Sequence, residues 1–140
     1  MTTQPTYQHT ISGQLATFAA SLRYEDLPND VRDKAKLVLL DALGCGLAGS
    51  ATDDMRSIRD AMKAAAGGEG DTLLWGTRER AALPVAALAN GAAVHAREMD
   101  DFEGVLHSAA VIVPPTLGTA ARVNASGSDL LAAIVVDRKS

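Results

Sequence analysis

The sequence predicts an all-α domain with at most one minor strand, and three observations carry that prediction. Apolar residues recur at helical spacing, beginning with Ile11, Leu15, Phe18, Ala19 and Leu22. Hydrophobic residues make up 47% of the chain but aromatics only 4%, so the apolar content is Ala, Leu and Val. Ala has the best helix propensity and lets backbones approach closely. Helix punctuation, Pro28 and the Gly67-Gly68 pair, falls between the periodic segments.

Taken in order, the first helix ends in the stretch Tyr24 to Pro28, and Pro28 suits the first turn of the second. From Val31 the apolar positions widen into Leu37-Val38-Leu39-Leu40 and continue through Leu47, giving a long helix that ends near Gly49. Met55, Ile58 and Met62 mark a third helix, stopped by Gly67-Gly68. Thr72 to Trp75 is a short extended piece. Pro84 opens a helix that is small and apolar nearly all round through Val94, the pattern of the most buried element. That helix is expected to run on to Asp101. A loop then leads to Pro114-Pro115, followed by a helix over Thr116–Arg122 and another from about Ser128. Five to seven helices result. The last apolar run, Leu130–Val136, breaks off at Asp137-Arg138-Lys139-Ser140 and lacks the partners that would bury it. Residues 1–140 therefore read as one helical domain that is cut short.

Several classes are excluded by composition. The net charge is −4 with the basic residues scattered, which leaves no nucleic-acid footprint. The start MetThrThrGlnPro has neither a basic nor an apolar stretch of a signal peptide. Asp41 and the paired glycines interrupt the best membrane-spanning candidate. Cys45 is the single cysteine, which excludes an internal disulfide and fits a reducing compartment, the cytoplasm.

Chemistry concentrates between Asn90 and Pro115. On a helix reaching Asp101, His95, Glu98 and Asp101 stand at successive i+3 steps. Carboxylates there face the negative end of the helix dipole, an adverse placement that functional acids and bases tolerate. His107 follows on a loop long enough to fold back, so carboxylate and imidazole could share acid–base work. His95, Glu98, Asp101 and His107 are metal-ligand types, but no HisGluXxxXxxHis spacing supports a metal, and none is expected. The rival reading is a non-catalytic helical interaction module, in which Arg97 pairs with Asp101 one helical step away and the acids only cap a solvated end.

Gly44-Cys45-Gly46-Leu47-Ala48-Gly49 matches the GlyXxxGlyXxxXxxGly dinucleotide fingerprint literally. A strand there would bury Asp41 without a partner. Small residues that let two helices pack closely are the simpler reading, and Cys45 within the run is a core residue.

The run Asn90-Gly91-Ala92-Ala93-Val94-His95, then Glu98-Met99-Asp100-Asp101, His107 and Val111-Ile112-Val113-Pro114-Pro115, resembles the signature block of the MmgE/PrpD family. Leu15-Ala16-Thr17-Phe18, Asp41-Ala42-Leu43-Gly44, Leu47-Ala48-Gly49 and Leu74-Trp75-Gly76-Thr77 agree with it in order and spacing. That family includes 2-methylcitrate dehydratase, cis-aconitate decarboxylase and iminodisuccinate epimerase. The resemblance implies a large helical domain plus a smaller α+β domain, the latter absent here, and usually a homodimer. It implies a small di- or tricarboxylate substrate, 2-methylcitrate in the first instance, and no metal or organic cofactor. Glu98, Asp101 and His107 fall at its catalytic positions, as acid or base, orienting group and proton-transfer group. His95, Asp100 and Arg97 would touch substrate. Phe102 stands where many members have threonine and Ser108 where proline is common, which leaves the substrate open. Family members are several-fold longer and supply substrate-binding lysines from their later portion, so this chain alone is expected to have little activity.

Overall fold

The computed structural model describes residues 10–66, 69–102 and 104–139. Among them are six α-helices and a two-residue-wide hairpin: α1 (Ile11–Ser21), a 3-10 turn at Tyr24–Asp26, α2 (Asn29–Ser50), α3 (Asp53–Ala66), β1 (Thr72–Leu73), β2 (Arg80–Ala81), α4 (Leu83–His95), α5 (Ser108–Arg122) and α6 (Gly127–Lys139). The all-α expectation holds. β1 and β2 pair antiparallel, Thr72 opposite Ala81 and Leu73 opposite Arg80. The Gly67-Gly68 stop, Glu103 and the first residues lie outside the described residues.

The helices pack around α4, which touches α2, α3, α5 and both strands. α2 buries Ala35, Val38, Ala42, Cys45, Gly46 and Gly49, a stripe at i+3 and i+4 spacing. α4 answers with Ala86, Ala89, Asn90, Ala93 and Val94. Close approach explains the small residues. A methyl group at Gly49 would collide with the Ala93 carbonyl oxygen, and one at Gly46 would lie 2.6 Å from the Trp75 ring. The dinucleotide reading of Gly44–Gly49 is thereby overturned: the run is the C-terminal part of α2 and faces a helix, with no strand-to-helix turn to cradle a phosphate. The main core joins Val38, Ala42 and Cys45 of α2 to Trp75, to Val94 of α4, to Ala109, Ala110 and Val113 of α5, and to Ile134 of α6.

Asn90 fastens the hairpin to α4. Its Oδ1 accepts from the Trp75 backbone N–H at 2.9 Å, and its Nδ2 donates to the Leu73 carbonyl at 3.0 Å. Both partners are thus satisfied in a place where unpaired polar groups would be costly.

Three expectations are corrected. α4 ends at His95, not Asp101. Glu98 has left the helix with φ at 48°, and nothing apolar in Arg97–Asp101 continues the stripe that Ala93 and Val94 bury. α5 begins at Ser108 rather than after Pro115, so Pro114 and Pro115 lie inside it. Burial of Ala109, Ala110, Ile112, Val113 and Pro114 outweighs the lost hydrogen bonds. Pro114 has no N–H for the Ala110 carbonyl, and Gly91 is packed there so tightly that an added methyl would lie 2.6 Å from that oxygen. Finally, Leu130–Val136 does have partners. Ile134 is fully buried in the main core, and Val135 packs with Leu27 and Ala35.

α1 is the exception to this packing. Thr10 caps it, its Oγ1 accepting from the Gly13 N–H at 3.0 Å, yet none of its residues is buried. Among the described residues, no single helix is long and apolar enough to cross a membrane.

Candidate functional site

The end of α4 and the start of α5 build the site together. After His95 the chain makes a tight turn in which the Glu98 N–H donates to the His95 carbonyl at 2.9 Å. Glu98 takes the left-handed conformation that usually belongs to glycine or asparagine after a helix. The turn sends the next acids in different directions. The Asp100 side chain is fully buried. Asp101 Oδ1 instead accepts from the Ala109 N–H at 3.1 Å, satisfying an orphan donor in the first turn of α5. His107 occupies the N-cap position of α5 but makes no side-chain cap bond. Asp101 does that work, which leaves the His107 ring available.

Asp100 lies between two imidazoles. Its Oδ1 is 3.2 Å from His95 Nδ1, a hydrogen bond, and its Oδ2 is 3.3 Å from His107 Nδ1. The second contact is close but not aligned: Asp100 Oδ2 and His107 Nδ1 are both buried without a hydrogen-bond partner among the described residues. The two imidazole rings are 4.3 Å apart at 58°, and the Phe102 ring lies 5.3 Å from His107. One carboxylate thus touches two rings, and both rings reach partly into solvent.

The other residues singled out by sequence are placed differently. Glu98 and Arg97 are exposed, and their side chains have no hydrogen bond or ion pair among the described residues. Arg97 and His95 line a groove with Thr52, Asp53 and Asp54 at the start of α3. Asp101 and Met99 line another with Leu37, Leu40 and Asp41 of α2. The i+3 ladder of His95, Glu98 and Asp101 does not form, because the helix is over by Ala96. The trio that assembles is His95, Asp100 and His107, whose ligand atoms lie within 4.8 Å of one another, a donor set of a kind that also suits a divalent cation.

Sequence reasoning gave Asp100 only a substrate contact and missed its central position. Adjacent aspartates carry no mark of which turns inward until the turn at Glu98 is known. Cys45 is buried, and its thiol is pushed up from its ordinary value, first by that burial and then by the charges of Asp41, Asp100 and Asp101. It is a core residue.

A family model described as the MmgE/PrpD N-terminal domain matches residues 13–137. The cis-aconitate decarboxylase-like protein oryM of Aspergillus oryzae (strain ATCC 42149 / RIB 40) is 33% identical over 148 residues, covering 96% of this chain and 30% of its own length. The cis-aconitate decarboxylase of Aspergillus terreus is 28% identical over 139 residues, covering 93% of this chain and 28% of its own length. The chain therefore spans about 30% of the length of the curated relatives it matches. No solved structure matches it significantly.

Proposed function

Because this chain belongs to the MmgE/PrpD family, we propose that it carries the acid–base part of a lyase site for small di- or tricarboxylates, with cis-aconitate the first substrate to test. The observation that supports this most is the buried Asp100 carboxylate against His95 and His107. An imidazole held at Nδ1 by a carboxylate exchanges a proton at Nε2, which is the work such a reaction needs. In decarboxylation, the bond to the departing carboxyl group breaks and its electron pair moves into the neighbouring unsaturated acid. A proton from the site then quenches that pair as carbon dioxide leaves. Dehydration of 2-methylcitrate would use the same groups to remove a proton beside a carboxylate and to protonate the leaving hydroxyl. Glu98, exposed beside the site, serves as the second acid or base, and Asp101 keeps His107 in place through α5.

Substrate retention is the weaker part of the site in this chain. Of the three arginines near the motif, Arg80 is already engaged with the Asp71 carbonyl, leaving Arg78 and Arg97 exposed. Proton transfer lowers a barrier only when the substrate is held in near-attack geometry. The isolated chain accordingly has little or no turnover, and activity belongs to an assembly, a homodimer or larger, with the remaining region of its longer relatives. Two measurements test this. The purified chain is incubated with cis-aconitate, citrate and 2-methylcitrate while unsaturated acid is followed by absorbance. Turnover at ordinary enzyme rates, abolished by Glu98→Ala, would show the chain to be sufficient. The same ligands are titrated against labelled histidines. Resonance shifts at His95 and His107 with cis-aconitate, and none with an uncharged analogue, are expected. If no carboxylate moves them, the helical interaction module is the better reading.

A further inference from the structure

We propose that Asp100 is a positioning residue that sets the tautomer of two histidines at once, and that His95 is therefore the partner of His107 rather than a bystander. The inference rests on the acid–base reading above but is argued from geometry alone. A neutral imidazole carries its proton on one nitrogen, and the hydrogen bond made by the other decides which. Asp100 is a carboxylate with a fully buried side chain, and it presents one oxygen to each ring. An ionised carboxylate only accepts. Each ring that bonds to it must donate, so each carries its proton at Nδ1.

The His95 half of this arrangement is formed, with Nδ1 3.2 Å from Oδ1. The His107 half is a donor and an acceptor 3.3 Å apart, each buried and each otherwise unsatisfied. A small rotation of the His107 ring joins them and removes two desolvation costs with one bond. Nothing else in the described residues competes for either atom. Asp101, the adjacent acid, is committed to the Ala109 N–H. Phe102 lies along one side of the His107 ring.

The consequence is that both Nε2 atoms are left as acceptors. With ring centroids 4.3 Å apart, they belong to one site and can address two positions of one small substrate. His95 has the more open side chain of the two, 45% exposed against 30%. It is placed to receive a proton from, or return one to, a ligand held against His107.

The test reads tautomers directly in the full chain, through long-range nitrogen–proton correlations of isotope-labelled histidine at about pH 8.5, above the ordinary imidazole range. His95→Gln and His107→Gln assign the two signals, and circular dichroism confirms that each variant folds. In the unsubstituted chain both rings are expected as Nδ1–H tautomers. Asp100→Asn offers one oxygen and one NH2 in place of two oxygens. One ring, and only one, should then switch to the Nε2–H form, a change that loss of packing alone would not produce. Either ring found as Nε2–H in the unsubstituted chain overturns the proposal. So does retention of both Nδ1–H forms in folded Asp100→Asn. Addition of cis-aconitate separates the two readings: correct tautomers with no ligand response would leave Asp100 as the positioning residue and sink the proposed function instead.

Discussion

The Oδ1 atom of Asp101 accepts the backbone N–H of Ala109 at 3.1 Å, so an acid from the turn after α4 caps a helix that starts seven residues later. His107, the residue in the N-cap position, contributes nothing to that cap. Asp101→Ala should therefore cost about 1 kcal/mol of stability, the usual scale for a lost cap. Asp101→Asn should restore most of it, since the amide oxygen still accepts. Urea denaturation followed through Trp75, the single tryptophan, measures both. Equal losses in the two variants would mean the charge, not the hydrogen bond, matters.

Glu98 sits at φ 48° without a side chain suited to that conformation. Glu98→Gly should raise stability by up to about 1 kcal/mol, because glycine adopts left-handed backbone freely. In a catalytically competent, full-length relative the matching change should abolish whatever the carboxylate contributes. A variant neither stabilised nor impaired would remove Glu98 from both arguments.

Two glycines of α2 should respond with opposite signs. Gly44 has nothing within 4 Å of an added methyl, so Gly44→Ala should stabilise the helix by about 0.5–1 kcal/mol. Gly49→Ala drives a methyl into the Ala93 carbonyl and should destabilise by about 1–3 kcal/mol or prevent folding. Thermal melts of the pair decide. Similar melting temperatures would contradict the close contact of α2 with α4.

Cys45 should alkylate slowly in the native state and at an ordinary rate once the chain is unfolded, because burial raises its thiol and blocks access. The sign for stability follows. A raised value in the folded state means that the folded chain keeps the proton longer. Its contribution is intact below the ordinary thiol range and is lost as pH rises through the folded value. Rapid native labelling at neutral pH would show α2 opening from the core.

His107→Ala, made at the matching position of an active full-length relative, should lower turnover by about two decades or more, the scale of a positioned acid–base group. Near-normal kcat would take His107 out of the chemistry.

Much of this fold was readable because burial follows spacing. The long helix α2 and the small residues of α4 were visible as patterns before any contact was known. But the large side chains that marked α2, Leu37, Leu40 and Leu47, are exposed, and the buried stripe runs through Ala35, Val38, Ala42, Cys45, Gly46 and Gly49. The two misplaced boundaries have a common origin in tertiary structure. The charges after Val94 continue a helical spacing on paper, but Arg97 and Glu98 stay exposed, and the backbone turns at Glu98 and carries Asp100 inward instead. Pro114 and Pro115 forbid a helix by local rule, yet α5 is held by what it buries and by a cap from Asp101. The site inherited both errors. His95 and His107 were visible as candidates, but their meeting on Asp100 requires α4 to stop where it does and α5 to begin early.

Ile134 lies in the same core as Val38 and Ala42, about a hundred residues away along the chain. That single side chain makes the order of synthesis matter. The sheath formed by α2, α4 and α5 can gather as these segments appear, but one wall of it stays wet until α6 arrives. A chain stalled on the ribosome before α6 emerges would expose Val38 and Val113 to whatever apolar surface is nearest. Exposure of this core should therefore end abruptly when α6 emerges rather than decline along the sequence.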